Sequence, residues 1–119
     1  MARHAPATAR PRRVAEMLRR ELAGIVQFEL EDAQVRKSTL TNVDVAPDLS
    51  HAKVYVSHLQ GPEEAQRSVA ALNKAKGYLR HALAQRVRLR VMPELRFVYD
   101  ESIDRGMALS ALIARARAE

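Results

Sequence analysis

Apolar side chains recur along this chain with two different periods, and the changes of period mark out its elements. Val14, Leu18, Leu22 and Ile25 are spaced by four, four and three, with Met17 and Val26 widening the stripe and Arg13, Glu16, Arg20 and Gln27 falling elsewhere. That spacing predicts an amphipathic helix from Arg12 to near Glu31. The period then drops to two. Thr41, Val43 and Val45 alternate with Asn42 and Asp44; after Pro47-Asp48-Leu49-Ser50, Ala52, Val54 and Val56 alternate with Lys53, Tyr55 and Ser57. Two β-branched strands joined by so short a turn predict an antiparallel hairpin, with Lys53 and Tyr55 on its outer face.

Gly61-Pro62 ends the second strand and opens a helix whose first turn carries Glu63 and Glu64, suited to a positive helix N-terminus. Ala65, Val69 and Leu72 form one stripe, and Leu79, Leu83 and Val87 form another. Gly77 lies between them and permits a kink or a close approach by another molecule. Two helices are expected, about 62–74 and 77–88, with one continuous helix as the alternative. Beyond Pro93, Leu95, Phe97 and Tyr99 alternate with Arg96 and Val98 as a third strand. Ser102 is a candidate N-cap for a last helix through Ile103, Met107, Leu109 and Leu112 to Arg115 and Arg117. The order α-β-β-α-α-β-α predicts an α+β domain, a three-stranded sheet packed on helices.

A length of 119 residues, 47% of them apolar, fits one domain with a real core. Residues 1–11, with Pro6, Pro11 and small residues between arginines, are expected to form a flexible basic arm ahead of a single domain over 12–119. An Arg-rich, acid-poor start also fits an organellar transit peptide, so a bacterial and an organellar source both stay open. No apolar run is long enough to span a membrane. The absence of cysteine excludes disulfides, thiolate metal sites and a thiol nucleophile, and fits a reducing compartment.

Charge sharpens the picture. The net charge is +6, and the excess sits in two segments. Residues 1–20 hold six Arg against one Glu, and residues 61–92 hold seven basic side chains against two acidic ones. Lys74, Lys76, Arg80, Arg86, Arg88 and Arg90 follow one another with no carboxylate among them. A merely solvated helix face mixes signs, so a run of one sign points to an anion-binding surface. Arg12 and Arg13, with Arg3 and Arg10, are candidate auxiliary tethers.

Catalytic patterns are missing. His4, His51, His58 and His81 show no metal-ligand spacing, and His81 in the basic helix fits a surface or phosphate-donor role. Gly24, Gly61, Gly77 and Gly106 are too scattered for a phosphate loop or dinucleotide fingerprint. Asp100 and Glu101 are adjacent carboxylates, but their place before a helix start is explained by the helix dipole. The expectation is a binding protein, with no catalytic residue and no metal.

Three stretches resemble the bacterial ribosome-binding factor A family. One is the strand–turn–strand from Val45 to Ser57. The second, and the most specific, runs Pro93-Glu94-Leu95-Arg96-Phe97-Val98-Tyr99-Asp100-Glu101-Ser102-Ile103-Asp104-Arg105-Gly106. The third is the opening helix, Arg13-Val14-Ala15-Glu16 through Arg20-Glu21-Leu22. The resemblance covers about residues 12–113. It implies a KH-like domain of type II, α-β-β-α-α-β, in which an Ala-x-Gly kink replaces the usual Gly-x-x-Gly loop; here that element is Ala75-Lys76-Gly77. It also implies a cytoplasmic assembly factor without enzyme activity or cofactor. Such a factor binds the free, immature small ribosomal subunit and its rRNA, assists late maturation and rRNA processing, and supports growth in the cold. On that reading Arg12, Arg13, Lys74, Lys76, Gly77, Arg80, Arg86, Arg88 and Arg90 are the candidate RNA contacts of a monomer. No two glycines have Gly-x-x-Gly spacing, so phosphates of folded RNA, recognised by shape, are the expected target rather than a clamped single strand. The rival reading is a protein-interaction module docking an acidic partner such as an assembly GTPase; DNA binding is a weaker one.

Overall fold

The computed structural model describes residues 4–102 and 112–116 of the chain, with backbone alone for 4–10. Its elements are α1 (His4–Glu29), α2 (Ala33–Arg36), β1 (Ser38–Val45), β2 (His51–His58), α3 (Pro62–Lys74), α4 (Lys76–Arg86) and β3 (Glu94–Tyr99). This is the α-β-β-α-α-β order expected of a KH-like type II domain, with one extra turn of helix. The sheet has the order β1-β2-β3, antiparallel between β1 and β2 and parallel between β2 and β3. The parallel pair follows from the long crossover through α3 and α4, which a tight turn could not make.

Every residue of the α1 stripe points into the core: Leu18, Leu22 and Ile25 are fully buried, and Val14 and Val26 nearly so. They meet Val54 and Val56 of β2, Leu95 and Phe97 of β3, Leu72 of α3 and Leu79 and Leu83 of α4 in one cluster. Each such side chain contributes roughly 1.5–3 kcal/mol by leaving water. Burial alternates along β2 and β3, with Ala52, Val54, Val56, Leu95 and Phe97 inside, so the described helices pack on one face of the sheet. His51 and Lys53 on β2 and Glu94 and Arg96 on β3 therefore project from the opposite, bare face.

Several boundaries differ from those the sequence suggests. Helix α1 begins at His4, not Arg12, and runs through Pro11. Ala5, Ala7 and Ala9 are strong helix formers, and Pro6 falls in the first turn where its missing N–H has no helical partner, whereas Pro11, eighth in the helix, removes one i→i−4 bond. The one-turn α2 has no apolar period to reveal it. Asp32 makes it, its carboxylate accepting from Gln34 N at 2.9 Å and Val35 N at 3.2 Å. In β1 the inward residues are Leu40, Val43 and Val45, so Leu40 takes the place expected of Thr41. A bulge between Leu40 and Asn42 inserts Thr41 as an extra residue and breaks the alternation. Val87 leaves α4 in extended conformation and is still buried. Residues 112–116 are helical, with Leu112 and Ile113 exposed, but 103–111 of the expected last helix lie outside the described residues.

Two turns hold special backbone. Gly61 sits at φ 106° between β2 and α3, a conformation that favours glycine. Leu49, in the hairpin turn, is held at φ 63° although it has a side chain, which packs against the core.

Candidate nucleic-acid interface

The helix pair breaks where expected. Ala75 (φ −91°, ψ 6°) belongs to neither helix; its N–H donates to Ala71 O at 3.0 Å and Leu72 O at 3.1 Å. Its carbonyl then accepts from Leu79 N at 2.9 Å, starting α4 along a new course. Lys74 and Lys76 stand exposed on either side of this break, with Gly77 beside them. Gly77 has an ordinary backbone, and a Cβ built there would meet nothing within 4 Å. The fold itself does not require this glycine.

The six cations of the basic run are not equivalent. Lys74, Lys76, Arg88 and Arg90 are exposed and make no ion pair among the described residues. Arg80 is turned onto the loop before β3, where Nη2 donates to Met92 O at 2.8 Å and Nε to Pro93 O at 3.3 Å. Arg86 pairs with Glu29 of α1. That carboxylate reaches the basic segment from another element, so reading the run alone missed it. Glu29 also accepts the Tyr78 hydroxyl at 3.1 Å, so α4 crosses the C-terminal end of α1 with Tyr78 and Arg86 on either side. Arg12 and Arg13 are exposed on α1, ~25 Å up the helix from Glu29 at the α-helical rise, and are not brought to the α3–α4 break.

Two cations that the sequence did not single out join the break instead. A groove of about 510 Å³ is lined by Lys76 and Asn73 from the helices, and by His51, Lys53, Glu94 and Arg96 from the strands. Lys53 and Arg96 are direct neighbours across the parallel β2–β3 pair. Like charges placed side by side destabilise a sheet unless an anion screens them. Alternation put both on the outer faces of their strands, but only the crossover makes those strands adjacent.

Two carboxylates near the sheet are engaged. Asp100 is buried; one oxygen accepts from Ser102 N at 2.9 Å and Ser102 Oγ at 2.5 Å, and the other accepts from Thr41 Oγ1. It holds the turn after β3 and also ties that turn to the β1 bulge. Asp44 accepts the Tyr55 hydroxyl at 3.0 Å, and this bond to a carboxylate raises the phenol above its ordinary value. Among the described residues no group of three or more His, Asp or Glu side chains could hold a metal ion, and no helix is long and apolar enough to cross a membrane.

A three-stranded sheet with one face open among the described residues, and an interrupted basic helix pair along one edge, defines a small α+β domain with a basic surface. Comparison with known proteins gives it a family. The family model of ribosome-binding factor A matches residues 10–113, so the chain belongs to that family. It is 55% identical over 108 residues to the ribosome-binding factor A of Nitrosococcus oceani, covering 91% of this chain and 85% of that protein. It resembles the crystal structure of ribosome-binding factor A from Thermus thermophilus, with a TM-score of 0.66 and 34% identity over 75% of this chain and 94% of that one. A homology model of the Thermus thermophilus factor fitted into the cryo-EM map of a 30S complex is also similar, with a TM-score of 0.61 and 36% identity over 73% of this chain and 91% of that one. The family is one of ribosome-binding factors.

Proposed function

We propose that this chain binds the small ribosomal subunit through its rRNA and assists late maturation and rRNA processing, in the cytoplasm, as a monomer without catalysis or cofactor. The observation that carries the reading is a set of cations without ion pairs among the described residues, four of them around the break and two beyond the far end of α4. Lys74 and Lys76 flank Ala75, Lys53 and Arg96 line the same groove, and Arg88 and Arg90 extend the charge beyond α4. These side chains come from five segments and would meet a folded phosphate surface, whereas a single strand needs only a track. The similarity to a protein fitted into a 30S complex supports the same partner. Arg80 and Arg86 act in this account through the loop and the α1 junction that they hold. Arg12 and Arg13 lie within α1, whose first turns, from His4, run ahead of the domain formed by 12–119, and they tether a second stretch of RNA. Sedimentation with purified small subunits tests the reading. Co-sedimentation that is lost when Lys74, Lys76, Arg88 and Arg90 are changed together to Ala supports it. Undiminished binding of that variant would move the contact to a protein partner such as a GTPase.

A further inference from the structure

A single turn of helix is marginal in water, and α2 buries only Val35. Side chains from outside it hold it in place instead. Asp32 caps its start, Ser38 Oγ donates to Val35 O at 2.5 Å, and the buried His58 donates from Nε2 to Gln34 O at 3.0 Å. His58 Nδ1 accepts from Gln60 N at 3.0 Å, which leaves the ring proton on Nε2. What these bonds fix in position is Arg36 and Lys37, at the end of the turn. Both open onto a cavity of about 300 Å³ between α1 and the start of β1, which Arg19 reaches from α1 and Val26 and Leu40 wall on the apolar side. Arg36 Nε donates to Leu30 O, so its Nη groups, like the Lys37 ammonium, have no partner among the described residues. No carboxylate lines the cavity. Of the acids on α1 and beside α2, Glu16 is engaged by Arg19 at 2.6 and 3.1 Å, Glu29 by Tyr78 and Arg86, and Asp32 by the N–H groups it caps, while Glu31 is exposed on the loop. Arg12 stands two turns before Arg19 on the same face of α1, ~10.5 Å away along the axis.

We propose that this cavity is a second RNA-backbone site, in which Arg36 and Lys37 hold a phosphate while Arg19 and Arg12 border the strand along α1. The proposal rests on the RNA reading above and adds a separate segment of RNA to it. Ser38 pairs with His58 and Val45 with Ala52, so the cavity and the groove at the α3–α4 break lie toward opposite ends of the strands, ~20 Å apart along the sheet. One phosphate cannot serve both. The two free Nη groups of Arg36 form a fork that matches phosphate oxygens, and the ammonium of Lys37 adds a point charge beside it. The volume is at the small end of ligand sites, enough for one phosphate with its sugar against Val26 and Leu40, and too small for a stretch of acidic peptide.

The wild type, Lys37→Ala, Arg36→Ala/Lys37→Ala, Asp32→Asn, Asp32→Ala and a Lys74→Ala/Lys76→Ala control at the break are titrated with small subunits and with protein-free small-subunit rRNA, with melting curves for each. Lys37 makes no side-chain bond among the described residues, so Lys37→Ala should melt like the wild type and still bind both more weakly. The double variant should lose roughly tenfold, and the loss should shrink as salt rises. That loss and the control's should multiply when the two are combined, since sites so far apart act independently. Asp32→Asn keeps the cap and should bind at least as tightly as the wild type. Asp32→Ala loses the cap and should bind more weakly, although it too removes a negative charge. Tighter binding by Asp32→Ala would mean that charge alone acts, and would overturn the built site. Wild-type binding by the double variant, while the break control weakens, would overturn the second site and leave the contacts at the break standing. Weakening on subunits but not on rRNA, with the break control weak on both, would assign the cavity to a protein partner and overturn it as well. Full binding by the double variant and the control alike would overturn the RNA reading itself.

Discussion

The side-chain amide of Asn73 takes both main-chain hydrogen bonds that Phe97 offers at the free edge of the sheet. Asn73 Nδ2 donates to Phe97 O at 2.9 Å, and Phe97 N donates to Asn73 Oδ1 at 2.9 Å. Glu94 N and Asp100 N donate inward to Ser50 O and Val56 O of the β2 side, so by the parallel alternation the main-chain groups of Phe97 face away from β2, toward α3. Asn73 supplies their partner at the last turn of α3, and so fixes where the helix pair breaks relative to the strand edge.

Removing that amide orphans two main-chain groups against a packed helix. Asn73→Ala should therefore cost about 1–3 kcal/mol, read as a shift in the denaturant midpoint. Asn73→Asp should be nearly as harmful, because a carboxylate accepts from Phe97 N but cannot donate to Phe97 O.

Gly77 gives a cleaner separation of fold from function. With ordinary backbone and open space at its Cβ, Gly77→Ala should leave stability unchanged or raise it by up to ~1 kcal/mol. Subunit binding should weaken, because the methyl group meets RNA that approaches the break closely. A melting curve and a binding isotherm on one preparation check both halves.

Arg80 should report stability more than affinity. Its bonds to the carbonyls of Met92 and Pro93 tie α4 to the loop before β3. Arg80→Ala should cost roughly 1–2 kcal/mol and leave the salt dependence of binding almost unchanged. Lys76→Ala should do the reverse. Arg80→Lys should restore little of the stability, since one ammonium cannot reproduce a forked contact to two carbonyls.

The β1–β2 turn carries a pH signature. Asp48 accepts from Ser50 Oγ at 2.7 Å and Ser50 N at 3.1 Å, and chiefly the hydroxyl bond holds its carboxyl below the usual value. A depressed folded value means that the contribution is present above the unfolded value, near about 3.9, and is lost as pH falls through the folded one. The stability difference between wild type and Asp48→Ala should be full at neutral pH and shrink on acidification below about pH 4. Chemical denaturation at several pH values measures it.

What could be read from the residues alone depended on whether a signal was local. The α1 stripe, the hairpin and the start of α3 at Pro62 follow from spacing and from Gly and Pro positions, and the structure has each; the interruption of the helix pair was read from Gly77, and it falls at Ala75, two residues earlier. The bulge at Thr41 was not legible, because it depends on pairing with β2 and on Asp100, far along the chain. The same holds for the site. Lys74, Lys76, Arg88 and Arg90 were found as a run of one sign. Arg80 and Arg86 belong to the same run, but their partners come from the loop before β3 and from α1. Lys53 and Arg96 became neighbours only when two distant strands paired in parallel.

The central claim is that unpaired cations at the α3–α4 break hold rRNA by its phosphates, and the salt dependence of small-subunit binding tests it most directly. Each phosphate neutralised releases counterions, giving a slope of log K against log salt of about −0.7 to −0.9 per contact. If Lys74, Lys76, Arg88 and Arg90, with Lys53 and Arg96, make four to six such contacts, the wild-type slope should lie roughly between −3 and −5. Lys76→Ala should make it shallower by about one. A nearly flat slope, or one that is unchanged when all six cations are replaced, would contradict the account.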